Sequence, residues 1–178
     1  MHQHDEQCGC GGHHHGCGHP DHPHDHGENC GCGHIHAPIA APEGMSSIQL
    51  DILLSLRQRG CLPVASFSLT KADDSTRHAV ALAPVYLSDP NDSMERAKQV
   101  GNALSGLENM NLLTLDYDIP LRNYAYAEYK TSELYAYFVK TVEEAVARLE
   151  IAFDTPVLEL GSMALTEEGE KIVNSLLH

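Results

Sequence analysis

The first 36 residues hold sixteen His and Cys side chains and no Lys or Arg. So few branched or aromatic side chains cannot bury enough apolar surface to offset ordering entropy, so the segment is expected to be disordered and to gain order through ligation. Its donors run Cys8, Cys10, His13, His14, His15, Cys17 and His19, then His22, His24, His26, Cys30, Cys32, His34 and His36. Thiolates and imidazoles suit borderline and soft transition metals, with Zn or Ni first and Cu(I) as a further candidate. The glycines between them let the chain bend round an ion. At four protein ligands per ion the ceiling is about four metals, and exchanging sites fit the flexible chain better than fixed cages. The spacing lacks the separated ligand pairs of a zinc finger, and the interruption of His by Cys, Asp and Gly is unlike a purification tag. The bland alternative is a biased, solvated extension.

Composition changes abruptly near Gly44. The first 45 residues contain six acidic residues, eleven of the thirteen His and five of the six Cys, whereas the remaining 133 carry nineteen acidic and eleven basic residues. This places a metal-binding tail at 1–44 and a folded domain at 45–178, long enough to bury a core. The domain's formal charge of −8 disfavours non-specific attraction to DNA or anionic membranes, although residues 46–130 are nearly neutral, with ten acidic and eight basic side chains. No apolar run resembles a signal sequence or reaches the roughly 18 residues of a membrane span, so a cytoplasmic protein with no membrane partner is expected. In that reducing setting the tail thiols stay available for metal.

Hydrophobic periodicity predicts the domain's elements. Ser46 and Gln49 are spaced as a capping box for a helix that Gly60 ends. Residues 66–70 and 79–87 read as extended, joined by a turn at Asp73-Asp74-Ser75. Met94, Ala97, Val100, Leu104 and Leu107 form one helical stripe, with Asp92 and Glu95 as a reciprocal cap and Asn109 or Asn111 as a left-handed stop. Leu112 to Asp118 and Tyr124 to Tyr129 read as two arms of a hairpin. Thr131 or Ser132 caps a helix with a wide apolar stripe that can also serve a homodimer. Thr155 to Leu160 reads as extended and Gly161 as its break, with a last helix after Thr166.

The phrase from Ala103 to Leu113 resembles the recognition helix and first wing strand of winged-helix transcription regulators, and Leu165-Thr166-Glu167-Glu168-Gly169 resembles the phrase that follows their wing. The resemblance implies an α+β, divergent winged-helix-like domain whose helix enters the major groove and whose hairpin flanks it. It also implies nucleic-acid contacts from Arg96 and Lys98, assisted by Arg122 and Lys130. The tail's composition resembles the His-rich extensions of nickel-handling accessory proteins.

Catalysis is not expected. Outside the tail stand one His before the terminal residue and one Cys, with no phosphate-binding glycine loop and no His-Glu metal helix. His78 reads as structural or solvated, Cys61 as a small buried hydrophobe, and Asp73-Asp74 as a solvated turn. Tyr117, Tyr124, Tyr126 and Tyr129 read as cross-strand packing ahead of a base-stacking platform. The function expected is that of a transition-metal-binding protein coupling tail loading to DNA. The alternative is a metal storage or delivery protein whose domain binds a metalloprotein client, and a third reading is an interaction module with a dispensable tail.

Overall fold

The computed structural model describes residues 41–149 and 152–177. Five helices, α1 (Ser47–Arg59), α2 (Met94–Asn109), α3 (Ala127–Lys130), α4 (Glu133–Ala147) and α5 (Glu167–Leu176), accompany four strands. The strands β1 (Cys61–Lys71), β2 (Asp74–Val85), β3 (Leu113–Asp116) and β4 (Thr155–Leu165) form one antiparallel sheet in the order β2-β1-β4-β3. The domain is thus α+β, as its mixed periodicities require.

The strand β1 is central and buried on both faces from Leu62 to Ser68. Side chains alternate along a strand, so Leu62 and Val64 enter one cluster while Ala65 and Phe67 enter the other. The first cluster joins them to Leu53 and Leu56 of α1, Leu104 and Leu107 of α2, Met163 of β4 and Val173 of α5. The second contains Tyr126, Tyr129 and Leu134, with Phe67 also stacked on Phe138 at 5.5 Å between ring centres. Full burial of each such Leu or Phe is worth about 1.5–3 kcal/mol against exposure. Amid this apolar packing, the Ser66 and Ser68 hydroxyls lie 3.0 Å apart and Ser68 donates to Glu159 at 2.7 Å. Since Ser66 pairs with Glu159 in the ladder, a one-residue slip would strand two buried hydroxyls and penalise the wrong register.

Several expectations hold in detail. Ser46 and Gln49 form both halves of the capping box and Gly60 closes α1 at φ +80. Asn111 is left-handed at φ 58, and Ser132 and Thr166 cap α4 and α5 through Tyr135 N and Gly169 N. The cap of α2 differs: Ser93 accepts from Arg96 N, while Asp92 turns back to accept from Ser88 N, Ser88 Oγ and Asp89 N. Asp92 therefore organises the loop that precedes the helix.

The hairpin expected after α2 does not form, because Tyr124 to Tyr129 is not a strand. β3 pairs with β4, Leu113 opposite Leu165 and Asp116 opposite Ser162, and α3 and α4 lie in the excursion between them. Asn123 and Tyr126 adopt φ 59 and 53, left-handed conformations that an extended arm cannot contain. The tyrosine alternation that suggested a strand has another cause. Tyr126 Oη accepts from Leu121 N and donates to Gly161 O, both at 2.7 Å, while Tyr129 Oη donates to Pro63 O at 3.0 Å. Buried phenols thus supply polar partners to backbone that the ladder leaves open.

Gly161 does not end a strand; β4 runs through it to Leu165. A Cβ there would collide with Asp116 O and Tyr117 Cα, so the glycine lets β3 approach closely. Cys61 is exposed rather than buried, because it opens β1 at the end of the sheet, opposite Ala164.

Replacing Tyr126 with Phe keeps the ring but deprives Leu121 N–H and Gly161 C=O of their partner. Denaturant unfolding is expected to show a loss of about 1–3 kcal/mol with an unchanged slope; a loss below about 0.5 kcal/mol would show that water replaces the phenol.

Candidate functional site

The face of α2 turned away from the core is the first candidate surface. At 100° per residue, Ala97, Val100, Gly101, Ala103, Leu104 and Leu107 fill the buried arc. Glu95, Lys98, Gln99, Asn102 and Asn109 lie exposed on the opposite one. The side chains of Gln99, Asn102 and Asn109 make no hydrogen bond among the described residues, so their donors and acceptors face solvent. The cations near the start of this helix stand out in sequence and its amides do not, although residues 95, 98, 99 and 102 keep the spacing of three and four that complements the leucine stripe and residue 109 follows two turns on.

The four cations expected to contact nucleic acid, Arg96 and Lys98 with Arg122 and Lys130 assisting, do not share one setting. Arg96 and Lys98 are two positions apart on α2 and point to different sides. Arg96 lines a cleft with Asp51, Tyr86 and Asp92, whereas Lys98 borders an apolar one with Met94, Tyr137 and Phe138. Arg122 is exposed between β3 and α3. Lys130 folds back to donate to Ala125 O at 2.9 Å. The strand β3, which follows α2, carries Thr114 exposed and Asp116 half-buried.

All fourteen expected metal ligands, Cys8 to His36, lie outside the described residues. Among the described residues, no group of three or more His, Cys, Asp or Glu side chains is placed to hold a metal ion. His78 is exposed on β2 opposite Thr70. Of the expected Asp73-Asp74-Ser75 turn only Asp73 lies in the turn, where it meets Lys71 at 3.1 Å; Asp74 already opens β2 and accepts from Thr76 N and Thr76 Oγ.

The tyrosines divide by environment. Tyr126 and Tyr129 are buried and Tyr124, which packs edge-on against Tyr126, is exposed. Partial burial, helped by its 2.7 Å bond to Glu128, pushes the Tyr124 hydroxyl up to about 12. Burial, reinforced by the charges of Glu108 and Glu159, does the same to Tyr117. These rings serve packing; an open stack of parallel faces for nucleobases is not what they form.

Two further clefts lie on the described surface. One, of about 220 Å³, lies among Arg59, Tyr86, Tyr124 and Glu128 and adjoins the Arg96 cleft through Tyr86 and Ser88. The other, of about 470 Å³, lies between the starts of α2 and α4 and exposes Met94 and Tyr137.

No family model and no curated protein matches the sequence. Among solved structures the chain is similar to an uncharacterized protein from the hydrocarbon-degrading marine bacterium Alcanivorax borkumensis SK2. Identity is 10%, with 75% of this chain and 87% of that one covered, and the TM-score is 0.42. No helix among the described residues is long and apolar enough to cross a membrane.

The tyrosine environments predict an alkaline limit to stability. A phenol whose folded pKa exceeds its unfolded value contributes stability that is fully present below the ordinary value of 10.0 and disappears as pH rises through about 12. Ultraviolet titration of phenolate, run beside circular dichroism, is expected to show delayed ionisation and falling stability across that window. Tyr124→Phe should remove one delayed phenol; an unchanged curve would contradict the assignment.

Proposed function

We propose that the protein is a transition-metal-binding regulator of the cytoplasm that acts by binding and not by catalysis. Its tail, residues 1–44, takes up Zn, Ni or Cu(I), and its winged-helix-like domain, residues 45–178, changes its contact with DNA as the tail loads. The observation that carries the metal half is the density of donors, sixteen His and Cys within 36 residues. Ligation releases protons and offsets thiolate and carboxylate charge, which changes the electrostatics of a chain of formal charge −14.

The DNA half is supported by the order α2, β3, β4, α5. The strand β4, which pairs with β3, leads directly into the Leu165–Gly169 phrase, and on this reading α3 with α4 is an insertion between the two wing strands. α2 has sixteen residues, about 24 Å, a suitable length for a major groove. Gln99, Asn102 and Asn109 supply paired donors and acceptors of the kind that read adenine edges. Phosphate contacts fall to Arg96, Lys98, Arg122 and Lys130. A homodimer would present two such helices to a two-fold site.

A second reading, metal storage or delivery to a client metalloprotein, rests on the cleft between α2 and α4. Tyr137 there is 64% exposed beside Met94 and Leu134, residue types that favour protein interfaces. A DNA affinity that shifts with metal supports regulation, whereas metal transfer to an apo-protein without DNA binding supports delivery.

Mass spectrometry and X-ray absorption on the reduced protein test the metal half. Changing all five tail Cys to Ser is expected to abolish the tightest Zn(II) and Cu(I) binding while Ni(II) stays with His, and deleting residues 1–44 should remove specific binding altogether. Below roughly pH 6 the His sites should weaken as imidazole protonates. Stoichiometric metal retained after the deletion would overturn the tail-centred account.

Binding to a selected DNA library tests the other half. Arg96→Ala and Lys98→Ala should each lower the salt slope by about one phosphate contact, while Asn102→Ala should cost about 1–3 kcal/mol at one base position and spare non-specific binding. Absence of any selected sequence, or slopes unchanged in both variants, would remove DNA from the proposal.

A further inference from the structure

We propose that the exposed face of α4 is a self-association surface, on which a second copy of this chain packs its own α4 antiparallel about a two-fold axis between Ala136 and Tyr137. The helix is more apolar than its place in the domain requires. Ten of its fifteen residues are apolar, yet only Leu134 and Val142 are buried, while Ala136 and Tyr137 are exposed, Tyr137 to 64%. A helix with apolar residues on more than one side is normally covered on more than one side.

The exposed stripe is complementary to itself. Glu133, Ala136, Tyr137, Lys140 and Glu144 recur at intervals of three and four and so share one side of the helix. In a two-fold pair residue i meets residue j and j meets i. With the axis between Ala136 and Tyr137, the ring of each copy lies over the small side chain of the other, and Glu133 of each lies level with the other copy's Lys140. The charges select this register. Sliding the pair by one turn sets Glu133 level with the other copy's Glu144, and sliding it by two sets the two Lys140 side chains together. Within its own helix Lys140 has a 3.9 Å contact with Glu144 between two exposed side chains, a pairing too weak to hold it from the other copy's Glu133.

The relief beside the helix accommodates the incoming ring. The cleft of about 470 Å³ between the starts of α2 and α4 has Met94 and Leu134 on its apolar side and Asn91, Asp92 and Ser93 on its polar side. Its border on α4 is formed by Glu133, Leu134 and Tyr137, which is where the axis brings the other copy's Tyr137. A tyrosine, with an apolar body and a hydroxyl tip, matches that division. Both carboxylates of the cleft have a place in the arrangement: Glu133 meets the incoming Lys140, and Asp92 accepts from Ser88 and Asp89 in its own loop. An apolar cleft that shares Met94 and Tyr137 carries the contact on towards Leu82 and Phe138. One helix face and two clefts fall at the low end of the roughly 1,200–2,000 Å² that specific pairs bury, so a dissociation constant of about 1–100 µM is expected.

The proposal needs neither metal nor DNA. Association of the full chain is therefore measured by sedimentation equilibrium without nucleic acid, in chelator and reductant, from about 1 to 500 µM. Failure here leaves the metal and DNA tests as they stand. A reversible monomer–dimer equilibrium is expected. Tyr137→Ala should weaken it about tenfold or more, and Lys171→Glu, on α5, less than about twofold. Glu133→Lys or Lys140→Glu alone should weaken it about three- to tenfold by setting like charges level, whereas the double variant Glu133→Lys/Lys140→Glu exchanges both partners and should return to within about threefold of the parent. Thermal unfolding confirms that each variant is folded. A chain that stays monomeric throughout overturns the inference and leaves the cleft to a client protein. A dimer indifferent to Tyr137→Ala also overturns it, by placing the contact on another face or on the tail, and a double variant no better than the single ones overturns the antiparallel register.

Discussion

The ladder between β1 and β4 is the interaction from which the other packing follows. It pairs Cys61 through Thr70 with Ala164 through Thr155, joining partners 85 to 103 residues apart into the middle of the sheet. Because both faces of β1 are buried, this pairing sets where each helix can lie: α1, α2 and α5 against the Leu62 and Val64 side, the α3–α4 excursion against the Ala65 and Phe67 side. The same ladder brings Gly161 to the position where β3 must pass close, and so fixes the direction in which the chain leaves α2.

Local chemistry was legible in the sequence at most places where a short-range pairing decided it, the Ser93 cap of α2 being the exception. The Ser46–Gln49 box, the left-handed Asn111 and the Thr166 cap each depend on residues within a few positions, and the leucine stripe of α2 follows from helical spacing alone. Long-range pairing was not legible. Nothing near Leu113 reveals that its partner is Leu165, so the nearer tyrosine segment was an equally good strand by alternation. Gly161 was misread for the same reason: a glycine that ends a strand and one that lets another strand approach are identical until the neighbour is known.

The candidate surfaces divide in the same manner. The tail's donors are plain from composition, and the exposed amides of α2 were encoded in the spacing that revealed its core. The two clefts beside Tyr86 were hidden, because Arg59, Tyr86 and Arg96 come from separate elements and only tertiary packing sets Tyr86 and Ser88 in the walls of both. Arg59 taken alone reads as a cation at a helix end, which it also is.

The separation of β1 and β4 has a consequence for biosynthesis. A sheet whose inner pairing joins partners 85 to 103 residues apart cannot close until the second strand has left the ribosome, however stable its local helices. At about 5–20 residues per second, roughly four seconds or more separate emergence of Cys61–Lys71 from emergence of Thr155–Leu165. During that interval β1 lacks the strand that later covers its edge from Cys61 to Thr70.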